Sequence, residues 1–462
     1  MGITAKNSKN DSEKTGKTVC VDYDGFRLFS NGEKGKMVAR SSLNCSCADG
    51  VLQGGIGYEF YRDRNGEKVL TAFVDSARAF YILETWSNGD GTELSTDYFI
   101  LDGDGQMYQY VEAYDGYVAQ ALVGLDVGVA LATTPNGETK IVVSGEQGAF
   151  CVDGVNWGTF EQTDADKCTG AVCFSKNRVF LGQKPCKLLY GDPEKPWDFT
   201  ATYDEGGYVY LPLNKGDIVD ILEYGDSVYI FFQRGIVRLK PDGLARNFQI
   251  RETTYSGGEI FAKSIGVCGN WIFFLSENGI CRFDGEEVER VGRFLGVMPA
   301  KVGQRCAHAT VGEYYLLKYL DEGTFSVRTV ALRADGKDGY FVSNYAGLNE
   351  CNRMPVCAVG NRLATLRLGG EVPNGETRVF ESDYVDLGGR GKKHLKSVTF
   401  YGEGRLTFEV FDGKDWTSWD LEDIPLKTTL KLGVVVEEAR FRLLLDTDTK
   451  IRRMSFEYER LD

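Results

Sequence analysis

The chain contains very little histidine, with only His308 and His394 among its 462 residues. General acid–base catalysis most often uses histidine, and Ser–His and Cys–His arrangements require one, so this scarcity argues against most hydrolase mechanisms. The same count excludes a histidine-rich metal site. His308 lies in the segment RCAHATVG, where we expect a strand to begin and the side chain to be structural. The sequence therefore predicts no catalytic, metal-binding or cofactor-binding residues.

Several other common signals are missing. The 12 cysteines include no C-x-x-C pair, and no phosphate-binding glycine loop supports nucleotide binding. No apolar run approaches membrane-spanning length, and residues 1–17 lack the apolar segment of a signal peptide. Lys6 stands where the myristoylation pattern suggested by Gly2 needs Ser or Thr. We expect a protein without a membrane anchor that folds in cytosol with reduced thiols, several of them in strands (Cys151, Cys173, Cys268, Cys281).

Positive charge is outweighed by negative charge, since 53 Lys and Arg residues face 67 Asp and Glu residues and the formal net charge is −14. A nucleic-acid reader normally has a basic face. The strongest basic run is RGKKH at residues 390–394, which we interpret as a solvated turn rather than a phosphate site. An acidic protein can still lie beside DNA if its task is not to hold the DNA, because like charges oppose adhesion.

Glycine and aromatic residues are abundant, with 56 glycines, 24 tyrosines and 27 phenylalanines. Short runs of aromatic and β-branched residues between glycines indicate an all-β protein. No segment longer than about ten residues has the periodicity of an amphipathic helix.

The clearest internal repeat lies in residues 225–285. Its two copies read GDSVYIFFQRGIVRLKPDG and GNWIFFLSENGICRFDG, and each has the form of a β-hairpin. The second copy aligns without gaps with an earlier segment, since SENGICRFDG (276–285) matches GEQGAFCVDG (145–154). Because a single hairpin cannot bury its apolar face, repeated hairpins predict an array of stacked sheets.

The repeat has a period typical of propeller blades. We mark each unit by the residue before its first recognisable strand, at Thr96, Thr139, Asn177, Asp226, Asn270, Glu313 and Asn361. These markers are 38 to 49 residues apart, and propeller blades of four strands have periods of roughly 40–50 residues. The sequence therefore predicts a β-propeller of six to eight blades, with seven favoured.

The period is lost after residue 382. Residues 383–462 contain five strand-like runs, and residues 439–445 alternate between two faces, with Phe441, Leu443 and Leu445 on one and Arg440, Arg442 and Leu444 on the other. We predict a small C-terminal β-sandwich at 383–462. The remaining boundaries are a flexible arm at 1–17 and a propeller at 18–382 that includes a less regular N-terminal β region.

Three short patterns suggest ligand sites, and each has a plainer interpretation. Asp102, Asp104 and Gly105 resemble the start of a calcium loop, but the glycine comes too early, so we expect a hairpin turn. DGVNW (153–157) and DGKDW (412–416) resemble part of the Asp-box of sialidase-type propellers, without its leading Ser or Thr. A glycosidase also needs two carboxylates across a cleft. Trp416 and Trp419 would either stack on sugars or belong to a core.

Residues 171–285 resemble a family of propellers in the virions of tailed bacteriophages. The likeness is carried by CFSKNRVFLGQKPCKLLYGDPEKPWDFT (173–200), GGYVYLPLNKGDIVDILEYGDSVYIFFQRGIVRL (206–239) and SIGVCGNWIFFLSENGICRFDG (264–285). Gly191 stands where the family usually has Ser, and Gln233, Arg234 and Gly235 shorten a usual Lys-Glu-Arg-Ser segment. The likeness covers about a quarter of the chain.

The resemblance implies a structural virion protein of the tail or neck, similar to packaged-DNA stabilisation and tail-nozzle proteins. Such proteins form a homo-oligomeric ring, for which we expect a hexamer, that extends the portal channel and retains and releases packaged DNA. The expected partners are portal and tail proteins together with DNA in transient, non-specific passage. A glycan-binding or glycan-cleaving propeller used in host attachment is the alternative. A cellular propeller scaffold lacks support because no terminal Trp-Asp signature recurs.

Overall fold

The computed structural model describes residues 18–27, 37–70, 77–86, 94–160, 164, 167–200, 205–385, 387 and 391–461. The arm predicted at residues 1–17 lies outside this part of the chain. The described residues form strands and short 3-10 helices and contain no α-helix. No helix among them is long and apolar enough to cross a membrane. The all-β prediction is confirmed.

The chain divides into two compact units. The propeller unit comprises Phe60–Thr329 and Asn344–Thr365. The sandwich unit comprises Met1–Glu59, Val330–Ser343 and Leu366–Asp462. Both units therefore combine segments that are far apart in the sequence.

Six strands precede the first complete four-stranded sheet. They are β1 (Thr18–Tyr23), β2 (Phe26–Arg27), β3 (Met37–Leu43), β4 (Cys45–Ser46), β5 (Leu52–Gly54) and β6 (Ile56–Phe60). The sequence predicts one strand over residues 19–29, whereas β1 and β2 are separated at Gly25, whose φ of 109° breaks the strand. A strand is also predicted over 68–73, but its described residues form only isolated bridges, from Lys68 to Arg62 and from Leu70 to Arg362.

Five four-stranded antiparallel sheets follow in the propeller unit. The first is β7 (Ala77–Trp86), β8 (Leu94–Asp102), β9 (Gln106–Val111) and β10 (Gly116–Leu122), and the second is β11 (Gly128–Thr133), β12 (Thr139–Gly145), β13 (Gly148–Asp153) and β14 (Asn156–Thr159). The third is β15 (Cys168–Ser175), β16 (Arg178–Gln183), β17 (Lys187–Tyr190) and β18 (Gly207–Tyr210). The fourth is β19 (Ile218–Tyr224), β20 (Ser227–Phe232), β21 (Gly235–Lys240) and β22 (Gln249–Thr253), and the fifth is β23 (Gly266–Cys268), β24 (Trp271–Ser276), β25 (Gly279–Phe283) and β26 (Val288–Arg290). In each sheet, strands that are consecutive in the chain are neighbours.

Two further sheets complete the ring. The sixth is built on β27 (Ala307–Val311), β28 (Tyr314–Leu320), β29 (Val327–Arg333) and β30 (Gly339–Val342), and the seventh on β31 (Ala346–Cys351), β32 (Met354–Val359) and β33 (Arg362–Leu368). The segment before the first sheet joins the seventh, because Tyr61 N–H donates to Leu363 O (2.9 Å) and Leu363 N–H donates to Val69 O (3.0 Å). The fold is therefore a closed β-propeller, and the favoured count of seven blades is confirmed.

Apolar side chains fill the space between neighbouring blades. All six residues of β20 are buried. Phe231 of the fourth blade packs edge-on against Phe274 of the fifth at 5.6 Å, and Phe273 stacks on Tyr315 of the sixth at 5.0 Å. A buried phenylalanine contributes about 1.5–3 kcal/mol, so these rings hold adjacent blades together.

The first six repeat markers lie at or near the start of the second strand of their blade, and the last marker does not. Gly225–Asp226 and Gly269–Asn270 form the turns before the second strands β20 and β24, with glycine φ values of 63° and 60°. Gly360 has the same φ of 60°, but the turn at Asn361 precedes the third strand, β33. The equivalent turn of the seventh blade is Asn352–Arg353, which takes left-handed angles without a glycine. The missing glycine therefore displaced the marker by one strand.

The sandwich unit is formed by strands from both ends of the chain. Its later strands are β34 (Arg378–Ser382), β35 (Lys393–Glu403), β36 (Leu406–Phe411), β37 (Trp416–Leu421), β38 (Leu426–Val436), β39 (Arg440–Leu445) and β40 (Lys450–Arg460). One layer has the order β38-β35-β40-β5-β4 with β1 also on β40, and the other contains β3-β34-β39-β36-β37 with β2 on β3. Phe441 stacks on Phe456 at 4.4 Å between the layers. The predicted C-terminal sandwich is confirmed, and the predicted alternation is present in β39, where every second residue is buried.

The predicted domain boundaries need correction. Residues 18–59 were assigned to the propeller, but β1 pairs with β40 from Thr18–Glu459 to Tyr23–Met454, and β3 pairs with β34. In residues 383–462 alone, the edge of β40 that pairs with β1 and the edge of β39 that pairs with β34 would be exposed. Exposed strand edges promote pairing with other chains and aggregation. The N-terminal strands therefore belong to the sandwich unit.

Candidate functional site

A cavity lies at the centre of the propeller unit, where residues of all seven blades meet. Its volume is about 230 Å³. The lining includes Arg78 (β7), Val129 (β11), Val172 (β15), Ile221 (β19), Ile265 (next to β23), His308 (β27) and Leu348 (β31). Innermost strands of a propeller converge on its axis, so this cavity is the part of the fold that every blade shapes.

Two basic side chains that line this cavity form hydrogen bonds to neighbouring segments. Arg78 donates through Nε to Leu125 O (2.7 Å), and its Nη2 lies 3.2 Å from Asp126 Oδ1. Lys263 donates through Nζ to Gly170 O at 2.9 Å. The Arg78 bonds join the first blade to the segment that leads into the second, and the Lys263 bond joins the segment before the fifth blade to the third. These bonds stabilise the ring from within.

His308 is part of the same bracing. Its Nδ1 lies 3.0 Å from Lys263 O, so Nδ1 carries the proton and donates. A methyl group at Gly266 would lie 2.4 Å from the imidazole Cδ2, so the glycine makes room for the ring. His308 thus lies in a strand and holds the backbone of the neighbouring blade, in keeping with the structural role expected for it.

Burial shifts the pKa of two groups near the centre. The Tyr81 hydroxyl donates to Val127 O (3.3 Å), and burial raises its pKa well above the usual value. Burial also lowers the pKa of Lys318, whose Nζ donates to Tyr345 O at 2.6 Å. Both groups donate to backbone carbonyls, so their polar atoms stabilise the ring.

The phage-like signature segment is organised around Arg178. This side chain is 2% exposed, and its guanidinium donates to Gly191 O (2.6 Å), Gly243 O (3.0 Å) and Glu205 O. The guanidinium also lies against the ring of Phe248, with its Cζ 5.6 Å from the ring centre. A buried arginine needs this many acceptors, so Arg178 fixes the third blade to the loop after β21.

The Asp-Pro-containing turn of the signature is also tightly built. The Asp192 carboxylate accepts the N–H groups of Glu194 (2.7 Å) and Lys195 (3.3 Å). A methyl group at Gly191 would lie 1.7 Å from Pro196 O, so only glycine fits this backbone approach. Trp197 and Phe199, 7% and 3% exposed, complete the core between the second and third blades. These motif residues maintain the fold.

The calcium-like and first Asp-box-like patterns are turns. Asp102 Oδ1 accepts the N–H groups of Asp104 and Gln106, both at 2.9 Å, which confirms the hairpin turn. Asp153 lies 3.2 Å from Lys140 Nζ. Trp157 donates through Nε1 to Gln109 Oε1 at 3.0 Å. Within the described chain, no three His, Cys, Asp or Glu side chains group together as a metal site.

The second Asp-box-like turn leads into a ladder of charged and aromatic groups. The Asp412 carboxylate accepts the N–H groups of Lys414 and Asp415, both at 2.9 Å. Trp416 is half-buried, and the guanidinium Cζ of Arg442 lies 4.0 Å from the centre of the Trp416 ring. Arg442 also pairs with Glu381 (2.9 Å) and Glu409 (3.1 Å). One face of Trp416 is therefore occupied by protein, which weighs against sugar stacking there.

Trp419 is half-buried and lies 6.3 Å from the ring of Phe408, so it belongs to the edge of the sandwich core.

The basic run at 390–394 is not wholly a solvated turn. Residue 390 lies outside the described chain, while Lys393 is 3% exposed and begins β35. Its Nζ donates to Gly391 O at 2.9 Å. His394 is half-buried beside it in the same strand. The expectation of a solvated run is therefore wrong for Lys393, because the strand directs its side chain inward.

The cysteines predicted to lie in strands do so. Cys268 and Cys281 are buried, Cys151 and Cys173 are half-buried, and all are free thiols. Burial raises the pKa of Cys151 to about 11 and that of Cys268 to about 12, so these thiols are unreactive at neutral pH.

The central residues Arg78, Asp126, Lys263 and Gly170 were not anticipated from the sequence. Each comes from a different region of the chain, and each stands singly in its own segment. Arg78 lies in β7, the first strand of its blade. It could have been found only by assuming that the first strand of every blade lies next to the propeller axis, where these strands converge.

Comparison with known proteins gives structural likenesses only. No family model matches the chain, and no curated protein matches it. The chain is similar to the PorZ component of the type-IX secretion system of Porphyromonas gingivalis (14% identity, TM-score 0.39), covering 77% of this chain and 46% of that one.

Two further solved structures are similar. The extracellular domain of the one-component system BT4673 from B. thetaiotaomicron has 7% identity and a TM-score of 0.42. The match covers 86% of this chain and 59% of that one. The β-propeller domain of Cps50 (Swd1) from Myceliophteria thermophila has 11% identity and a TM-score of 0.32, with 59% and 99% coverage. Nothing about activity follows from likenesses this distant.

Proposed function

We propose that this chain is a structural subunit of a tailed-bacteriophage virion, located in the tail or neck. The observation that carries the proposal is the three-part signature within residues 171–285. Its segments lie in the third, fourth and fifth blades, between β15 and β25. The proposal assigns the protein no enzymatic activity.

The positions of the signature residues support a structural role. Arg178 binds three backbone carbonyls, Trp197 lies in a core, and Phe231 and Phe274 join two blades. A catalytic signature would instead place polar groups together in a cleft. Residues of this kind preserve a rigid blade array, which suits a subunit that bears load in a particle.

In this proposal DNA passes between copies of the chain and not through a propeller. The central cavity has a volume of only about 230 Å³ and is lined by side chains that include Arg78 and Lys263. The major groove of B-DNA alone is about 12 Å wide, so a DNA duplex is too large to enter this cavity. The channel is the lumen of a homo-oligomeric ring, with a hexamer as the specific expectation.

The charge of the chain supports transient passage of DNA. The net charge is −14, and phosphate binding depends on Lys and Arg contacts. A lumen lined by an acidic protein repels the phosphate backbone and lets DNA slide. The proposed partners are portal and tail proteins, and the proposed location is the virion, after synthesis in the host cytoplasm.

Electron microscopy of the purified full-length chain tests the assembly part of this proposal. We expect ring-shaped particles with one symmetry, together with weak binding of duplex DNA that does not strengthen at low salt. A chain that stays monomeric at micromolar concentration, and also fails to assemble with portal and tail proteins of the same phage, would contradict it.

A further inference from the structure

The central cavity combines apolar walls with a small number of charged groups. Its walls include Leu101, Val127, Leu222 and Ile265. The charged residues that line it are Arg78, Lys263, Asp220 and Glu350. Pockets that bind small molecules have this composition, since the walls supply contact area and the polar groups set orientation.

The basic groups of the cavity are already bound to protein acceptors. Arg78 forms an ion pair with Asp126 at 3.2 Å, and Lys263 donates to Gly170 O at 2.9 Å. An incoming anion would have to displace these bonds or share their donors.

The carboxylates are in the opposite situation. Within the described residues, neither Asp220 nor Glu350 forms an ion pair with Lys or Arg. Asp220 Oδ1 accepts the N–H of Ile221 at 2.9 Å, and Glu350 Oε2 is buried with no hydrogen-bond partner there. The charges of Arg78 and Asp126 cancel as an ion pair. The single positive charge of Lys263 balances one of the two lining carboxylates, so the cavity keeps a net charge of about one negative unit. Charges in such a partly enclosed place interact more strongly than in water.

We propose that the central cavity binds a small organic monocation, a primary alkylammonium, with the ammonium group beside Asp220 and the alkyl chain against the apolar walls. Glu350 adds negative charge to the same space. The volume of about 230 Å³ far exceeds the ~10–15 Å³ that one water needs, yet it admits only a small ligand.

A divalent metal ion fits less well than an amine. Calcium takes six to eight oxygen ligands, whereas this cavity offers two carboxylates, and the described chain contains no metal-binding group of three His, Cys, Asp or Glu. The apolar walls would contribute nothing to a metal ion. The inference is independent of the proposed virion role.

Binding is tested on the full-length protein with n-butylammonium chloride. Isothermal titration calorimetry should show saturable binding, and the Tm should rise further than in NaCl of equal ionic strength. Asp220→Asn should weaken binding at least tenfold, whereas Asp242→Asn, at an exposed position outside the cavity, should leave it unchanged. Equal affinity in Asp220→Asn, or an equal Tm rise in NaCl, would overturn the proposal.

Saturation-transfer NMR on the wild-type protein provides a test that needs no variant. Butylammonium alkyl protons should receive saturation, and butyrate, which has the same alkyl chain with a negative charge, should receive none. Transfer to butyrate equal to that of butylammonium would overturn the assignment of a cation. Absence of transfer to butylammonium would overturn the site itself.

Discussion

The guanidinium of Arg178 donates to the carbonyl oxygen of Gly191 over 2.6 Å, so two residues of the phage-like signature are directly bonded. Arg178→Met would keep the apolar stem and remove the donors to three backbone carbonyls. Because a hydrogen bond to a charged group contributes ~1.5–3 kcal/mol, we expect the free energy of unfolding to fall by about 3 kcal/mol. Urea denaturation measures this fall. Arg293→Met, at an exposed residue, serves as the control, and equal stability of the two variants would contradict the role of Arg178.

Gly191 should tolerate no side chain, although the resembling family usually has Ser there. A Cβ atom at this position would lie 1.7 Å from Pro196 O, so Gly191→Ala forces the Asp192 turn to shift. We expect a loss of about 2–3 kcal/mol, as for other overpacked sites, with Gly191→Ser at least as damaging. At Gly158 the nearest contact is 3.8 Å, so Gly158→Ala should change the thermal midpoint little. A Gly191→Ser variant as stable as the wild type would show that the turn adapts.

The C-terminal sandwich should not fold without the N-terminal strands. A fragment of residues 383–462 lacks β1, which pairs with β40, and β34, which pairs with β39. It also lacks β3, which pairs with β34. We expect the fragment alone to show no cooperative transition in circular dichroism. Adding residues 18–59 and 366–382 through flexible linkers should restore one. Cooperative unfolding of 383–462 alone would contradict the shared architecture.

Only one of the twelve thiols should react rapidly in the native protein. Cys20 is exposed and the others are buried or half-buried. Burial raises the pKa of Cys151 to about 11 and that of Cys268 and Cys351 to about 12. At pH 8 a thiol of pKa 11 is ionised in about one molecule in a thousand, and the thiolate is the reactive form. Titration with Ellman's reagent should give one fast equivalent, which Cys20→Ser removes, and eleven more in denaturant. Three or more fast equivalents would contradict the burial.

Local sequence patterns predict the blades because their information is local. The hairpins β20–β21 and β24–β25 join adjacent strands through short turns, and the alternation of apolar residues shows which residues are buried. The seventh blade was marked one strand too late because Asn352 and Arg353 form its turn without glycine.

Pairing between distant segments was not accessible in the same way. Nothing near Val19 or Val21 indicates that β1 adds to β40, since strand pairing across more than 400 residues leaves no periodic signal in one sequence. The central cavity was missed for a related reason. Each blade contributes a few residues, such as Asp220 and Glu350, and only the closed ring brings them together.

Quantitative mass spectrometry of gradient-purified particles, from the phage that encodes the chain, tests the proposed virion role. We expect the chain in a fixed ratio to the portal protein, and cryo-electron microscopy of the same particles should show a ring of seven-bladed propellers in the tail or neck. Intact, infectious particles that lack the chain would rule out the virion role.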